Sequence, residues 1–332
     1  MPDFVLRTPV ILAPMSGYNT PAFLRVAAEH GCGAAYTGLL TSHGIVRGGA
    51  PEAFKDASLP SGFILVAQLF GSDPDIMAEA ASILEDTKRF AAIDVNMGCP
   101  VRKVVRTESG AALMRDPPRA AAVVEAVVES VDLPVTVKLR SGWNEREINA
   151  PLMARLCEEA GASAAALHPR AKEQGFRGKA DWTLIRRVKE RAGVPVIGSG
   201  DVGSPPDAKK MLDETGCDAV MIGRAALRDP SIIGRTEHFL RTGELLPEPS
   251  HPERIRTALR HFRLHVETAG EKRGVPEMRK HFAACTRGLP GSASLRGALL
   301  AAADAKSVEK ILECCLDALP HDREADEEGA AR

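Results

Sequence analysis

No stretch of the 332-residue chain approaches the ~18 consecutive apolar residues that a membrane span needs. Its opening, Met1-Pro2-Asp3-Phe4, has neither the basic nor the apolar region of a secretory signal. The seven cysteines, at 32, 99, 157, 217, 285, 314 and 315, form no C-x-x-C pair and no metal-ligand spacing. That scatter argues against a disulfide framework, an iron–sulfur cluster or another metal, and points to a reducing cytoplasm with no membrane association. A net charge of −1 leaves no overall attraction for polyanions, so a nucleic acid must be met by a local basic patch. No feature requires an obligate protein partner. What remains is a chain with 44% hydrophobic residues, enough to bury a sizeable core, and long enough for one large α/β barrel plus an appendage.

Eight short segments rich in Val, Ile and Ala recur along the first two-thirds. They are Val10 to Met15, Ala34 to Leu39, Phe63 to Phe70, Ala91 to Asn96, Val135 to Arg140, Ala164 to His168, Val196 to Ser199 and Ala219 to Ile222. Near-continuous apolar runs indicate parallel strands buried on both faces. Helix openings lie between them at Ser72-Asp73-Pro74, Asp116-Pro117-Pro118 and Ser204-Pro205-Pro206, each a polar cap followed by proline in the first turn. Gly161, Gly193 and Gly216 stop helices just before the next strand. Eight alternating β and α units predict a (β/α)8 TIM barrel. The rival, an open doubly wound sheet, lacks the G-x-G-x-x-G expected after its first strand.

Active sites of such barrels gather at the C-terminal strand ends, and the polar residues of this chain fall there. Pro14, Met15 and Ser16 follow the first strand, Gln68 lies in the third, and Asn96 and Cys99 follow the fourth. Lys138 and Arg140 end the fifth, His168 and Arg170 the sixth, Ser199, Gly200 and Asp201 the seventh, and Gly223 and Arg224 the eighth. A lysine inside a buried strand is costly unless it answers a ligand. The glycine loops after the last two strands can bare backbone amides toward a phosphate. Gln68, Lys138 and His168 suit a ring with carbonyl and nitrogen acceptors, such as a flavin, whose reduced form a nearby cation stabilises. A phosphosugar isomerase could use the same phosphate loops and a lysine.

It would not need the run Asp94-Val95-Asn96-Met97-Gly98-Cys99-Pro100. Glycine and proline force a sharp turn there, presenting an amide and a thiol at the edge of a strand. The amide offers donor and acceptor to a nucleobase edge, and the thiol offers a proton. A lone Gly-Cys-Pro is more often a packing turn; the polar ends of the neighbouring strands favour chemistry.

With these residues in view, the chain resembles the tRNA-dihydrouridine synthases, and within them the bacterial B-type subgroup. The resemblance runs from about Val10 to about Leu312. It is carried by Asn96-Met97-Gly98-Cys99-Pro100, Val137-Lys138-Leu139-Arg140-Ser141-Gly142-Trp143, His168-Pro169-Arg170, Gly175 through Trp182, Ile222-Gly223-Arg224-Ala225-Ala226 and Arg279-Lys280-His281. It implies an FMN enzyme that reduces the C5–C6 double bond of selected uridines in tRNA, with NADPH as reductant. It further implies that Pro14, Met15, Ser16 and Gln68 line the flavin. Lys138 and His168 contact its ring and ribityl region, and Ser199, Gly200, Asp201, Gly223 and Arg224 hold its phosphate end. Asn96 binds the target uracil, Arg140 and Arg170 contact the uridine, and Cys99 is the acid. A thiol of near-neutral pKa suits that role. Three positions depart from the family pattern: Asn19-Thr20 stands where a Thr-Asp pair is usual, Gly38 lies where a Glu is common, and Ser199 replaces an Asn. Two alternatives are an FMN reductase of a free pyrimidine or other small molecule, and an RNA-binding paralogue with altered catalysis.

A proline-rich break, Gly243 to Ser250, marks a boundary between residues 1–243, the barrel, and 251–320, a small helical domain. Ile255, Leu259, Phe262 and Val266 share one helical face, and Val308, Ile311, Leu312 and Leu316 another. Residues 251–300 hold ten Lys and Arg against four Asp and Glu, densest at Arg279, Lys280 and Arg287. In a tRNA enzyme such a patch is a phosphate footprint; otherwise it is a solvated helix face. The last stretch, 321–332, is acidic, lacks large apolar side chains and is expected to be disordered.

Overall fold

A computed structural model describes residues 8–49 and 59–319. The opening tetrapeptide and the acidic tail lie outside the described residues. Nine parallel strands run in the order β1 (Val10–Leu12), β2 (Ala34–Tyr36), β3 (Leu40–Thr41), β4 (Ile64–Phe70), β5 (Ala92–Met97), β6 (Val135–Arg140), β7 (Ala164–His168), β8 (Val196–Ser199) and β9 (Ala219–Ile222). Apart from β2 and β3, which do not pair with each other, consecutive strands pair in parallel; β1 also pairs with β9 and β2 with β4, which closes eight of them into a barrel. The structure thus has the expected (β/α)8 architecture, followed by C-terminal helices.

The second strand differs from its predicted extent. It breaks after Tyr36 and resumes as β3, which pairs with the upper end of β4. At the break, the Thr37 hydroxyl accepts from the Gln68 N–H at 3.0 Å, a ladder position that a carbonyl would otherwise fill. The first strand is also shorter than predicted, because the chain turns at Ala13: Tyr18 and Asn19 both donate their N–H to the Met15 carbonyl.

The helices begin where the caps predict. Asp73, Asp116 and Ser204 accept side-chain bonds from Ile76, Arg119 and Asp207 N–H, opening α3 (Pro74–Asp86), α5 (Pro117–Ser130) and α8 (Pro205–Thr215) in a set that includes α1 (Pro21–Glu29), α2 (Ser42–Val46), α4 (Arg102–Val105), α6 (Ala150–Glu159) and α7 (Trp182–Lys189). Each such cap is worth about 1 kcal/mol. Gly216 takes the left-handed cap conformation at φ 69°. Gly193 serves otherwise: its N–H is bound by the Glu158 carboxylate, and a Cβ there would meet that carboxylate at 2.5 Å.

Alternation along the strands divides the side chains. Val95, Met97, Val137, Leu139 and Leu167 point outward into the layer between sheet and helices. The barrel interior is filled below by small and medium residues, among them Ala34, Ala92, Ala166 and Met221. Above them the strand registers align a polar layer. Gln68 stands opposite Asp94, Asp94 opposite Thr136, Asn96 opposite Lys138 and Arg140 opposite His168. This places the chemistry-bearing residues at one end of the barrel, as parallel strand order requires.

After α9 (Arg224–Arg228) and α10 (Ile232–Thr242), Gly243 turns the chain at φ 77°, and Ser250 and Glu253 form a reciprocal capping box that opens α11 (His251–Ala269). With α12 (Glu271–Cys285), α13 (Ser292–Ala301) and α14 (Ala305–Asp317) it encloses a second apolar cluster, containing Ile255, Leu259, Phe262, Val308 and Leu312. α11 also packs on α1 of the barrel. Phe262 is 1% exposed at the centre of the second cluster. Phe262→Ala should therefore cost about 3–5 kcal/mol of stability in urea unfolding; a loss below about 1 kcal/mol would show that the cluster is loosely packed.

Candidate active site

The turn after β5 is built from its own asparagine. Asn96, 6% exposed, accepts the N–H of Cys99 at 2.9 Å and of Gly98 at 3.2 Å through Oδ1. Its Nδ2 donates to Gln68 Oε1 at 3.0 Å. A side-chain amide has two donors and one acceptor oxygen, so Asn96 can offer a ligand one donor, not the donor–acceptor pair that the sequence suggests. Gln68 in turn donates to Asp94 Oδ2 at 2.8 Å, and the Thr136 hydroxyl donates to Asp94 Oδ1 at 2.7 Å. Asp94 and Thr136 are fully buried, and burial raises the Asp94 pKa to about 7 against the lowering pull of these two donors and of Lys138. Sequence reasoning missed both; a carboxylate inside a buried parallel strand was the available signal.

Cys99 is 8% exposed, and its carbonyl accepts from Ala111 N–H at 3.1 Å. Gly110, at φ 62°, lies so close that a Cβ would sit 3.2 Å from that of Cys99. Burial raises the thiol pKa, opposed by a backbone hydrogen bond at Val101 and by the charge of Arg140. The thiol is thus fully protonated at neutral pH, in contrast to the near-neutral value expected from sequence, because its surroundings desolvate it more than the nearby guanidinium favours the thiolate.

Positive charge dominates the rest of the mouth. Lys138 is partly buried in β6, and burial lowers its pKa to about 8, with Asp94 opposing and Arg140 reinforcing that shift. Among the described residues its ammonium has no hydrogen-bond or ion-pair partner. Arg140, 3% exposed, donates to the carbonyls of Gly98 at 2.6 Å, Ala171 at 3.1 Å and Gly175 at 2.9 Å. Arg170, 2% exposed, donates to both Asp201 oxygens at 2.7 Å, to the carbonyls of Gly178 and Arg177, and to His168 Nε2 at 3.2 Å. These two arginines are engaged with the protein itself and tie the loop between β7 and α7 over the mouth. Asp201, named in the sequence among the phosphate-holding residues, is an acceptor only; it holds Arg170, the Ala180 N–H at 2.7 Å and, at 3.4 Å, Arg224.

An arginine cannot accept, so the contact with Arg170 fixes the His168 tautomer: Nε2 is the acceptor and Nδ1 carries the proton. Burial, followed by the charges of Lys138, Arg140, Arg170 and Arg224, drives the His168 pKa down to about 2, which keeps the ring neutral. Gly200, at φ 113°, abuts this ring: a Cβ there would meet His168 Cδ2 at 2.9 Å and Ala180 Cβ at 3.0 Å. Trp182 Nε1 holds the Gly200 carbonyl at 3.0 Å. Gly223 lies beside Ala13 and Met15, which brings the loops after β1, β8 and β9 to one side of the mouth. Phe176, 57% exposed, projects from the tied loop, with Arg224 4.9 Å and Arg140 5.6 Å from its ring centroid.

Of the three departures from the family pattern, that at Asn19 has a structural role. Asn19, 4% exposed, donates to the carbonyls of Ala13 and Tyr36, both at 2.8 Å, and so clamps the ends of β1 and β2. Lys280 Nζ lies 5.5 Å from the Tyr18 ring centroid, linking α12 to the loop after β1. Arg279 and Arg287 are exposed and form no ion pair with a carboxylate among the described residues, whereas Arg260, Arg263 and Arg273 are tied to Glu29, to Glu309 and Glu313, and to Glu277. No group of three or more His, Cys, Asp or Glu among the described residues is arranged to hold a metal ion. No described helix is long and apolar enough to cross a membrane.

A family model described as dihydrouridine synthase matches residues 11–320. The chain belongs to that family. It is 38% identical to a probable tRNA-dihydrouridine synthase of Rickettsia bellii, over 93% of this chain and 95% of that one. It is also 38% identical to tRNA-dihydrouridine synthase B of Xanthomonas axonopodis pv. citri, over 86% of each. Among solved structures, morphinone reductase aligns with a TM-score of 0.52 at 16% identity, over 73% of this chain and 88% of its own. 2-Naphthoyl-CoA reductase aligns at 0.55 and 14%, over 71% and 50%. These two share the fold. The protein is therefore an enzyme of the dihydrouridine synthase family with a barrel shared by reductases.

Alkylation reports the state of the thiol. Iodoacetamide labelling of Cys99, followed by peptide mass spectrometry, should reach half its maximal rate at a pH above that of an ordinary cysteine, because the thiolate is the nucleophile and burial disfavours it. A midpoint below the ordinary value would mean that Arg140 outweighs burial.

Proposed function

We propose that this enzyme reduces the C5–C6 double bond of uridines in tRNA to dihydrouridine, with FMN as cofactor, NADPH as reductant and Cys99 as proton donor. The observation that carries the reading is a buried cysteine whose backbone N–H is fixed at the barrel rim by Asn96, with Lys138, which has no hydrogen-bond or ion-pair partner among the described residues, opposite Asn96 on the next strand. Residues 1–243 form the catalytic part in this reading and 251–320 the RNA-binding part.

The site fits FMN on its own chemistry. The Lys138 ammonium, without a hydrogen-bond or ion-pair partner among the described residues, answers a carbonyl or an anionic ring edge, and the Nδ1 proton of His168 answers an acceptor. Gln68, with one of its amide hydrogens held by Asp94, keeps the other for the ring. Pro14, Met15 and Ser16 line the near side. Ser199, Gly200 and Gly223 offer backbone at the phosphate end, where Arg224 is exposed and Asp201 orients it. Bound there, FMN supplies a hydride to uracil C6.

The chain's residues do the remainder. Asn96 donates its free amide hydrogen to a uracil carbonyl, which gathers negative charge as C6 is reduced. Cys99 transfers its Sγ proton to C5, so the product gains one hydride and one proton in total. The thiolate left behind faces Arg140, whose charge lowers the cost of forming it, and it is reprotonated from solvent. Arg279, Lys280 and Arg287, which form no ion pair with a carboxylate among the described residues, supply the phosphate footprint.

Two measurements test this. Cys99→Ala, reduced anaerobically and mixed with tRNA, should form dihydrouridine 10²- to 10⁴-fold more slowly, roughly the range for losing a general acid, while still binding RNA. Unchanged single-turnover formation, scored by mass spectrometry, would remove Cys99 from the reaction. Separately, reversing charge at Arg279, Lys280 and Arg287 should lower the slope of log affinity for tRNA against log salt by roughly two, since each phosphate contact contributes ~0.7–0.9. A triple variant with the parent's slope would show that these residues only solvate a helix.

A further inference from the structure

We propose that Asp94 is a positioning residue that sets the polarity of a side-chain relay, Asp94 to Gln68 to Asn96 to the Cys99 N–H, and thereby holds the thiol in place for proton transfer. The inference deepens the reading above and rests on it for the role of Cys99, but the relay itself is a property of the fold.

The polarity follows from donor and acceptor counts. A carboxylate only accepts, and both Asp94 oxygens receive hydrogens, one from Thr136 and one from Gln68. The amide of Gln68 must therefore turn its nitrogen toward Asp94 and its oxygen toward Asn96. That oxygen accepts, so Asn96 must turn its nitrogen toward Gln68 and its oxygen toward the turn, where it receives the N–H groups of Cys99 and Gly98. Asp94 and Thr136 are 0% exposed and Gln68 is 1% exposed, so water does not compete for these positions. An amide can be flipped about its last torsion with little change in shape; the relay runs between two ends that keep their roles, the Asp94 carboxylate as acceptor and the Cys99 N–H as donor. The place of Asp94 one register step below Asn96, on the same inward face of β5, is what lets it reach the turn through a single intervening side chain.

The neighbours bear this out. Lys138 and Thr136 flank Asp94 from β6, and burial together with the charge of Asp94 pushes the hydroxyl pKa of Tyr36 up from the other side. The carboxylate thus sits among donors and one cation, with no other acid against it among the groups that act on it.

Asp94→Asn keeps the shape and removes one of the two fixed ends, because the new amide can meet Gln68 with either end and no longer holds the Gln68 and Asn96 amides against the pull of the turn. The double variant Asp94→Asn/Gln68→Glu restores a fixed end: a carboxylate at position 68 accepts from residue 94 and from Asn96, so Asn96 again turns its oxygen to the Cys99 N–H. Two readouts are taken on purified holoenzyme. Hydrogen exchange of the Cys99 amide, followed by NMR, should accelerate at least tenfold in Asp94→Asn and return toward the parent rate in the double variant. Single-turnover dihydrouridine formation should fall about tenfold or more in Asp94→Asn, with apparent tRNA affinity unchanged.

Parent-like exchange and turnover in Asp94→Asn would overturn the proposal. So would a double variant whose Cys99 amide exchanges no more slowly than that of the single one. Exchange that follows the prediction while the parent itself forms no dihydrouridine would overturn the functional reading and leave the relay standing as a structural device.

Discussion

Buried positive charge is the constraint around which the barrel mouth is arranged. Lys138, Arg140, Arg170 and Arg224 all act on the ring of His168, and their joint field, with burial, keeps that histidine neutral. Charges of one sign brought together out of water must be answered by acceptors. Arg140 and Arg170 are answered by backbone carbonyls of the loop above them and by Asp201. That requirement explains why the loop between β7 and α7 is tied down along its length, and why Gly200 and Asp201 hold left-handed conformations at φ 113° and 59°: the carboxylate must reach under the loop to the guanidinium. Lys138 is the cation left over. Among the described residues its ammonium has no hydrogen-bond or ion-pair partner, which is why the proposed reading gives it to the flavin.

A second consequence concerns the thiol. Cys99 lies within the field of Arg140, which by itself would favour the thiolate, yet desolvation is the larger effect and the proton stays on sulfur. In the proposed reaction the same pair would serve both directions of a proton transfer. Burial would keep the acid loaded before reaction, and the guanidinium would limit the cost of the thiolate afterwards. A more exposed cysteine beside the same arginine would lose its proton sooner and be a nucleophile instead.

Much of this was legible in the sequence, and the reason is geometric. Parallel strands must carry their functional residues at one end, so the polar terminations after Gln68, Asn96, Lys138, His168 and Ser199 identified the mouth before any coordinates were known. Helix openings were equally readable, because Asp73, Asp116 and Ser204 cap through local bonds only. What sequence could not give was the division of labour within the site. Arg170 and Lys138 look alike as buried cations, and only the three-dimensional count of acceptors separates the engaged one from the free one. Asn96 looks like a base reader, but two of its hydrogen bonds close its own turn. Asn19 looks like a lost functional position, but it clamps two strand ends. Asp94 and Thr136 lie next to residues already singled out, yet their pairing crosses from β5 to β6 and depends on register, which no single segment encodes.

The joint between barrel and C-terminal helices bears on how the proposed RNA footprint is held relative to Cys99. Phe23 of α1 packs against His261 and His281, with ring centroids 5.4 and 5.5 Å away, and those two histidines meet edge to face at 4.5 Å. Burial lowers both of their pKa values, that of His281 to about 3, and nearby charge adds to this, from His281 and His265 on His261 and from Lys280 and His265 on His281. Both shifts favour flat, uncharged packing groups at neutral pH. His281 also meets Tyr18 at 5.1 Å, and Lys280, the next residue, lies over the same tyrosine. Tyr18 belongs to the turn that follows β1, beside Met15. One short loop thus carries the contact from the basic face of α12 to the wall of the active site, so that a tRNA phosphate bound at Lys280 and a uridine at Cys99 would be registered against the same rigid turn.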